Sequence, residues 1–307
     1  MNTMEYAKIF QTALDKQAIV GATSGWMEGN AGLVVYNGGD EIKIPKIAMD
    51  GLGNYDRDAG FNQGSVTFNY ETLKFTQDRG RSFSLDAMSV NETNFVATAG
   101  AVMSEFQRTK VIPEIDAYRY SKVAQLAITG GQALGGYTPT DSDILKKLRA
   151  DIATVQDIIG EVPLIITLPT PIKSLLEGSQ EISKQLDVMD FASADGSVSF
   201  KVKAIDGCPL MGVPSIRMLT KYIYNDGKTA GQIGGGFVPD ASAKHINWLL
   251  TAMDAPIGVS KTDVIRIFDP LSNQSANAWK FDYRKYHDVW LPDNKVAKTF
   301  VNIKEAL

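Results

Sequence analysis

The chain has 307 residues, of which 44% are hydrophobic and 21% are charged, and this composition is that of a folded globular protein rather than a disordered one. Its 31 basic and 35 acidic residues give a net charge of −4. Because proteins that neutralise nucleic-acid phosphates need a basic surface, this balance excludes tight nucleic-acid binding as the main function. The single cysteine, Cys208, excludes an internal disulfide bond.

No segment has the length and apolar character of a signal peptide or a membrane span. The longest apolar stretches, such as residues 162–168, are far too short to cross a bilayer. We therefore expect a soluble protein that is made and kept in a cytoplasm.

The first predicted element is a helix over residues 3–18. Apolar side chains, among them Phe10 and Leu14, recur there at intervals of three and four residues and form one stripe. Residues 21–32, which are rich in Gly, Ser, Thr and Asn, predict an extended arm. A lone stripe so far from any other helical segment must be covered by another part of the protein or by another molecule.

A long β-hairpin is predicted next. Apolar and polar residues alternate over 41–44 and again over 66–71, which is the period-two pattern of strands. Residues 50–64 between them form a long, glycine-rich tip. Because a two-stranded hairpin is marginally stable alone in water, this one must lean on a partner, which is either another molecule or its own domain.

A long helical rod follows the hairpin. Residues 91–111 carry a continuous apolar stripe with acidic and amide residues at its start and basic residues at its end. Pro113 lacks a backbone donor, so it breaks or kinks the rod and opens a second helix over residues 113–129. The two helices together predict a long, slightly bent rod.

Helical and strand patterns alternate after the glycines between residues 130 and 136, as they do in an α/β domain. The first of these patterns predict a helix capped by Asp141 or Ser142 and running to Ile159, a strand at 164–168, a helix from Pro171 and a strand at 197–205. A loop around Cys208, Pro209 and Pro214 is predicted next, followed by a helix near 241–253 and a strand at 264–268. Two final strands are predicted within 278–304, joined through Pro292, Asp293 and Asn294.

Residues for acid–base or nucleophilic catalysis are scarce. The chain has two histidines, His245 and His287, and neither belongs to a recognisable nucleophile motif. Cys208 lies between Gly207 and Pro209 in a predicted loop, where a lone cysteine is usually inert. We predict no catalytic residue.

Glycine-rich stretches of the chain do not match phosphate-binding loops. Residues 131–137 have Tyr137 where the phosphate-binding lysine belongs, and residues 225–229 contain Gly-Lys-Thr but lack the first glycine. The aspartates within residues 50–58 do not match a calcium loop, because Gly60 stands where a third oxygen ligand is needed. We therefore predict no cofactor and no metal site.

Two stretches of the sequence resemble the major capsid proteins of tailed bacteriophages. The first is DRGRSFSLDAMSVNETNFVATAGAVMSEFQRTKVIPEIDAYRYSKVA, residues 78–123, which in that family passes from the end of a long hairpin into the long spine helix. The second is AWKFDYRKYHDVWLPDNKVAKTFVNIK, residues 278–304, which looks like the carboxy-terminal strands of the family. The order of predicted elements agrees along nearly the whole chain.

The resemblance implies an α+β architecture, the Hong Kong 97-type capsid fold. It places the N-terminal arm at residues 1–32, the extended β-hairpin loop at 33–80, the spine helix and peripheral domain at 81–138, the α/β axial domain at 139–267 and the return strands of the peripheral domain at 268–307.

The resemblance also implies a function. The chain would be a structural subunit, not an enzyme, that assembles with itself as pentamers and hexamers into the icosahedral shell of a virion. That shell encloses double-stranded DNA without sequence-specific binding. The resemblance further implies a separate scaffolding protein and a portal as partners, no membrane, and assembly in the host cytoplasm. An encapsulin-type nanocompartment shell is the first alternative, and an α/β hydrolase-like or nucleotide-binding enzyme using His245 or Cys208 is the second.

Contacts between subunits are expected on the arm, the hairpin tip, the hairpin base and the spine helix. The residues are Phe10, Leu14, Tyr55, Phe61, Arg79, Arg81, Glu105 and Arg108. The charges at the hairpin base, which include Asp78 and Asp86, pair either across subunits or within their own chain, where an exposed pair contributes about 0–1 kcal/mol.

Overall fold

The structure is a computed structural model, which describes residues 22–33, 35–36, 41–55, 57, 60–86, 102–179, 187–192 and 199–307. The chain forms two compact units, a hairpin unit of residues 32–76 and a body formed by the rest. The predicted arm helix at 3–18, with Phe10 and Leu14, and residues 91–101 of the predicted rod lie outside the described residues. No described helix is long and apolar enough to cross a membrane.

The hairpin unit is an antiparallel sheet of the strands β1 (Val35–Tyr36), β2 (Glu41–Met49) and β3 (Val66–Lys74), in that order. Pairing of β2 with β3 extends to Met49 and Val66. Beyond that pair, the Asp50 N–H donates to the Ser65 carbonyl oxygen (3.2 Å) and the Ser65 N–H donates to the Asp50 carboxylate (2.7 Å). The hairpin predicted from alternating residues is thus confirmed.

Besides a short helical segment at residues 102–106, the body contains three α-helices and twelve strands among its described residues. The helices are α1 (Ile112–Thr129), α2 (Ile144–Ile159) and α3 (Thr170–Gly178). The strands are β4 (Gln77–Asp86), β5 (Ala133–Leu134), β6 (Leu164–Pro169), β7 (Asp187–Ala192), β8 (Ser199–Ile205), β9 (Cys208–Val213), β10 (Tyr222–Tyr224), β11 (Phe237–Pro239), β12 (Ile246–Ala252), β13 (Ile257–Phe268), β14 (Ala278–Trp290) and β15 (Thr299–Ile303).

A seven-stranded mixed sheet in the order β5-β15-β12-β6-β9-β8-β7 forms the centre of the body. Its strands β6 and β12 are buried along their whole lengths. Alternate residues of these strands face opposite layers. Leu148 of α2 packs in one core cluster with Ile166 and Trp248, whereas Tyr120 of α1 packs in the other cluster with Leu249. The sheet therefore lies between α2 and α1, which explains the apolar stripe predicted for α2.

Two predictions for this sheet were wrong. The segment near 241–253, predicted as a helix, contains the central strand β12, and the predicted loop at Cys208 is strand β9, which pairs in parallel with β6. A strand that is buried on both faces reads as a continuous apolar run, and periodicity does not distinguish such a run from a buried helix. The strand at 164–168 and the helix from Pro171 were predicted correctly.

The helical rod joins two parts of the body. Residues 102–106 are α-helical, Gln107–Val111 form a π-helical turn, and α1 follows without interruption. The break or kink expected at Pro113 is therefore a π-helical turn just before it, and such turns commonly bend helices. Met103 packs with Phe281 on a three-stranded sheet in the order β13-β14-β4, and α1 packs on the seven-stranded sheet.

The last two strands lie in different sheets. β14 pairs with β13 and β4, whereas β15 pairs with β12 and β5 in the seven-stranded sheet. The two strands predicted within 278–304 are confirmed, but they do not pair with each other. The domain boundaries implied by the resemblance stay a prediction.

Candidate functional site: assembly surfaces

One face of the hairpin is apolar and exposed over its outer half. Directly paired residues of antiparallel strands point to the same side of a sheet. Ile47 pairs with Phe68 and Met49 with Val66, and these side chains are 57%, 69%, 72% and 53% exposed, respectively. The apolar face of the hairpin, as we define it, consists of Pro45, Ile47, Met49, Val66, Phe68 and Tyr70.

The hairpin tip continues this exposed apolar surface. The rings of Tyr55 and Phe61 meet edge to face with their centroids 5.0 Å apart, and Phe61 is 91% exposed. The Asn62 side chain donates to the carbonyl oxygen of Asn54 (2.8 Å), which ties the two sides of the tip together. The structure thus brings together the two tip residues that the sequence singled out.

The opposite face of the hairpin is different in character. Lys46 lies 3.9 Å from Glu71 across the strand pair, and Thr67 and Asn69 are exposed polar residues on this side. Large contiguous apolar patches are rare on monomeric proteins and mark interaction sites. Over its outer half, the hairpin therefore offers one face that water solvates and one that a protein surface would cover. Nearer the base, Ile42 and Ile44 on the polar side are buried.

The predicted charged interface residues at the base of the hairpin have partners inside the body. Arg79 forms an ion pair with Glu114 at the start of α1 and donates to the carbonyl oxygen of Gly236 (3.2 Å). Arg81 donates to the carbonyl oxygen of Ile233 (3.1 Å). The charge of Arg79 is therefore paired within its own chain, which is one of the two alternatives that the sequence left open. A contact of Arg79 or Arg81 with another subunit stays a prediction.

The predicted spine residues Glu105 and Arg108 form an exposed pair one turn apart on the helix. The Arg108 guanidinium donates to both carboxylate oxygens of Glu105, at 3.0 and 2.7 Å. Asp78 forms a similar exposed pair with Arg284 (2.8 and 2.5 Å), whose hydrogen bonds lower the pKa of Asp78. Exposed pairs contribute about 0–1 kcal/mol to stability, so they leave these side chains free to change partners.

Residues 22–31, which we call the root segment, do not form the predicted extended arm. Gly25–Leu33 is a 3-10 helix, and the segment is fixed to α1 by Asp116. This buried carboxylate accepts hydrogen bonds from the backbone and hydroxyl groups of Thr23 (3.2 and 2.8 Å) and Ser24 (3.0 and 2.6 Å), and from Arg217 (3.0 Å).

Apolar and charged side chains of the root segment complete this attachment. Trp26 and Met27 are buried in the core cluster that contains α1. Glu28 forms an ion pair with buried Arg119, and the Asn30 side chain donates to two backbone carbonyl groups (2.7 and 2.8 Å). Sequence reasoning missed these residues. The adjacent Trp and Met within an otherwise small and polar stretch were the signal that could have found them.

The residues of the alternative enzyme hypothesis do not lie together in a cleft. His245 is exposed, with its Nδ1 2.7 Å from the Glu305 carboxylate. Cys208 is buried, and burial raises the pKa of its thiol. Among the described residues, no group of three His, Cys, Asp or Glu side chains could hold a metal ion.

The Gly-Lys-Thr sequence at 227–229 lies in the loop between β10 and β11. The Asp226 carboxylate accepts hydrogen bonds from the N–H groups of Lys228 (2.8 Å) and Thr229 (2.9 Å) and from the Thr229 hydroxyl (2.5 Å). These bonds, led by that of the hydroxyl, lower the pKa of Asp226 to about 2. Amides that would hold a phosphate in a P-loop are therefore already occupied by a carboxylate of the chain.

Comparison with known proteins gives a match only at the level of structure, since no family profile and no curated protein sequence matches the chain. The capsid structure of the cyanophage P-SCSP1u is similar with a TM-score of 0.54 and 12% identity, over 88% of this chain and 84% of that one. The mature capsid of bacteriophage PhiM1 gives 0.50 and 10%, over 88% and 83%. The holo-SrpI encapsulin complex from Synechococcus elongatus gives 0.50 and 11%, over 87% and 82%.

These similarities cover most of each chain. At such low identity they show the fold and leave the function to be argued from the residues. The α+β, Hong Kong 97-type capsid fold implied by the two sequence stretches is thereby confirmed.

Proposed function

We propose that this chain is the major capsid protein of a tailed bacteriophage, which assembles with copies of itself into the icosahedral shell around double-stranded DNA. The observation that carries the proposal is the exposed apolar face of the hairpin, in a chain whose fold is that of capsid subunits. A hairpin that presents large apolar side chains to water is unfavourable in a lone subunit, and burial of each such side chain stabilises an assembly by about 1.5–3 kcal/mol.

A second copy of the chain is the natural cover for this face. Closed symmetric assemblies repeat one contact many times, so a single modest surface is enough to build a shell. Each contact needs about 1,000 Å² of buried surface to be specific. The predicted arm, peripheral and axial domains would supply the remaining contacts within pentamers and hexamers.

The charge of the chain fits a container for DNA. With a net charge of −4, the subunit lacks the basic excess by which proteins hold phosphates tightly. We propose accordingly that the shell encloses double-stranded DNA without reading its sequence, that a scaffolding protein and a portal assist assembly in the host cytoplasm, and that the subunit has no enzymatic role.

The test is a pair of matched double variants on the two faces of strands β2 and β3. We expect Ile47→Ser combined with Phe68→Ser to give folded subunits that no longer form regular shells in electron micrographs, since the surface to be buried is lost. The control, Thr67→Ser combined with Asn69→Ser, changes exposed residues of the opposite face and should assemble like the unmodified chain. Normal shells from the first variant would contradict the assembly role of the apolar face.

An encapsulin-type shell is the second candidate, because the SrpI encapsulin shares the fold to the same degree as the PhiM1 capsid. Mass spectrometry of the proteins that co-purify with assembled shells separates the two. Finding scaffold and portal proteins would support the viral capsid, and finding a single abundant cargo enzyme would support the encapsulin-type compartment.

A further inference from the structure

The body contains a cavity of about 640 Å³ between the helical rod, strands β4 and β14, and the loop that joins β10 to β11. Its size lies within the range of small-molecule sites. Basic side chains on all four of these elements line it. They are Arg79 and Arg81 on β4, Lys110 on the rod, Lys228 on the loop, and Lys285 and His287 on β14. Lys285 is paired with Asp263 (2.6 Å). We call it the basic cavity.

The carboxylates that line the basic cavity already have partners within the chain. Asp78 is held by Arg284, which lies outside the cavity lining, and Glu114 is held by Arg79. Asp226 accepts the hydrogen bonds of its own loop. The acidic groups are therefore not available to neutralise the remaining cations.

The cations at the mouth of the cavity lack such partners. Among the described residues, no carboxylate lies within ion-pair distance of Arg81, Lys110 or Lys228, and Lys228 attracts Asp226 only at longer range. Gly227 has φ of +73° and Gly235 has φ of +65°, and a Cβ at these positions would lie 3.2 and 3.4 Å from the Arg81 guanidinium. The two glycines thus leave room for the fork of Arg81 beside the loop.

The inner wall of the basic cavity carries an unsatisfied polar group. His287 is buried, its ring packs edge to face against Tyr118 at 5.6 Å, and its Nδ1 has no hydrogen-bond partner. Burial lowers the pKa of His287 well below its usual range, and nearby Arg119 and Lys285 add to this. A buried ring nitrogen without a partner costs free energy unless something fills that position.

We propose that the basic cavity binds a phosphoryl group, either as inorganic phosphate or as part of a small phosphate ester, through Arg81, Lys110 and Lys228. A guanidinium fork and two ammonium groups are the side chains that bind phosphoryl oxygens by charge-assisted hydrogen bonds, and their positive charge complements that of a phosphoryl group. The bound group would bridge the rod, β4 and the loop, which meet at this cavity. This inference does not depend on shell formation.

The chain offers an internal control for the test, since its two histidines occupy different places. We would titrate the unassembled full chain with inorganic phosphate, and separately with glycerol 3-phosphate, at constant ionic strength set with chloride, and follow both imidazole rings by NMR. We expect a saturable shift of the His287 signals and none of the His245 signals, because only His287 borders the cavity. The tighter of the two probes identifies the source of the phosphoryl group.

Variants assign the shift to the proposed residues. Lys110→Gln and Lys228→Gln should each weaken binding by about tenfold, which is the effect of losing one charge-assisted hydrogen bond. Lys304→Gln, at an exposed position outside the cavity, should leave it unchanged. The proposal would be overturned if chloride shifted the His287 signals as much as phosphate does, or if both histidines shifted equally. It would also be overturned if both cavity variants bound phosphate as tightly as the unmodified chain, or if a DNA oligonucleotide bound more tightly than either small probe.

Discussion

The root segment and the hairpin differ in how their apolar side chains are covered. Sequence reasoning expected the helix before the root segment, and the hairpin itself, to be covered either by another molecule or by another part of the chain. Trp26 of the root segment is 2% exposed within the body, whereas Phe68 of the hairpin is 69% exposed. The chain therefore covers one region by itself and leaves the other for a partner.

The difference shows what an irregular segment needs in order to dock on its own chain. Apolar side chains alone do not suffice, because backbone groups carried into the interior must find partners. Asp116 and Arg119 on α1 provide those partners for the root segment. The first prediction therefore targets Asp116.

Asp116→Ala should have the largest effect on the body. The substitution leaves the donors of partly buried Thr23 and buried Ser24 and the charge of Arg217 without their acceptor. We therefore expect the free energy of unfolding to fall by about 3–5 kcal/mol in urea titrations of the full chain. The matched control is Asp78→Ala, which removes an exposed pair and should cost no more than about 1 kcal/mol. Equal losses for the two variants would mean that the root segment is not held by Asp116.

Acidification should weaken the same region through His287. The pKa of His287 is lowered in the folded chain, first by burial and then by Arg119, Lys285 and Arg79. Between that lowered pKa and the ordinary value of about 6.5, the unfolded chain binds a proton that the folded chain does not, so stability falls as the pH falls below about 6.5. The slope should approach about 1.4 kcal/mol per pH unit.

Urea titrations between pH 7.5 and pH 5 measure this slope. His287→Phe keeps the ring contact with Tyr118 and removes the titrating group, so its stability should depend less on pH over that interval. A slope equal to that of the unmodified chain would assign the acid sensitivity to other groups.

The smallest effect on stability is expected for the hairpin. The double variant Ile47→Ser with Phe68→Ser should change the free energy of unfolding of the unassembled subunit by no more than about 1 kcal/mol, since exposed substitutions each change it by about 0.5 kcal/mol. Together with lost assembly, this result would separate the hairpin from the root segment most clearly. A loss as large as that of Asp116→Ala would show that the apolar face is covered within the free subunit.

The sequence alone was enough to predict the elements that have one side in contact with water and the other side apolar. Strand β3 alternates between apolar and polar residues over 66–71, and α2 has one apolar stripe, so both patterns were readable. The two stretches around the rod and the last strands were enough to imply the fold. The hairpin tip residues Tyr55 and Phe61 are exposed, and their part in contacts between subunits stays a prediction.

Only the tertiary structure decided the elements that are buried on all sides or anchored from a distance. Strand β12 has no polar face to reveal its period, and the root segment depends on Asp116, more than 90 positions away. The separation of β14 and β15 into different sheets likewise depends on which strands lie beside them. A local sequence pattern predicts an element when one of its sides contacts water and the other is buried. An element buried on both sides has no such pattern, and a hydrogen bond between distant residues leaves no local pattern at all.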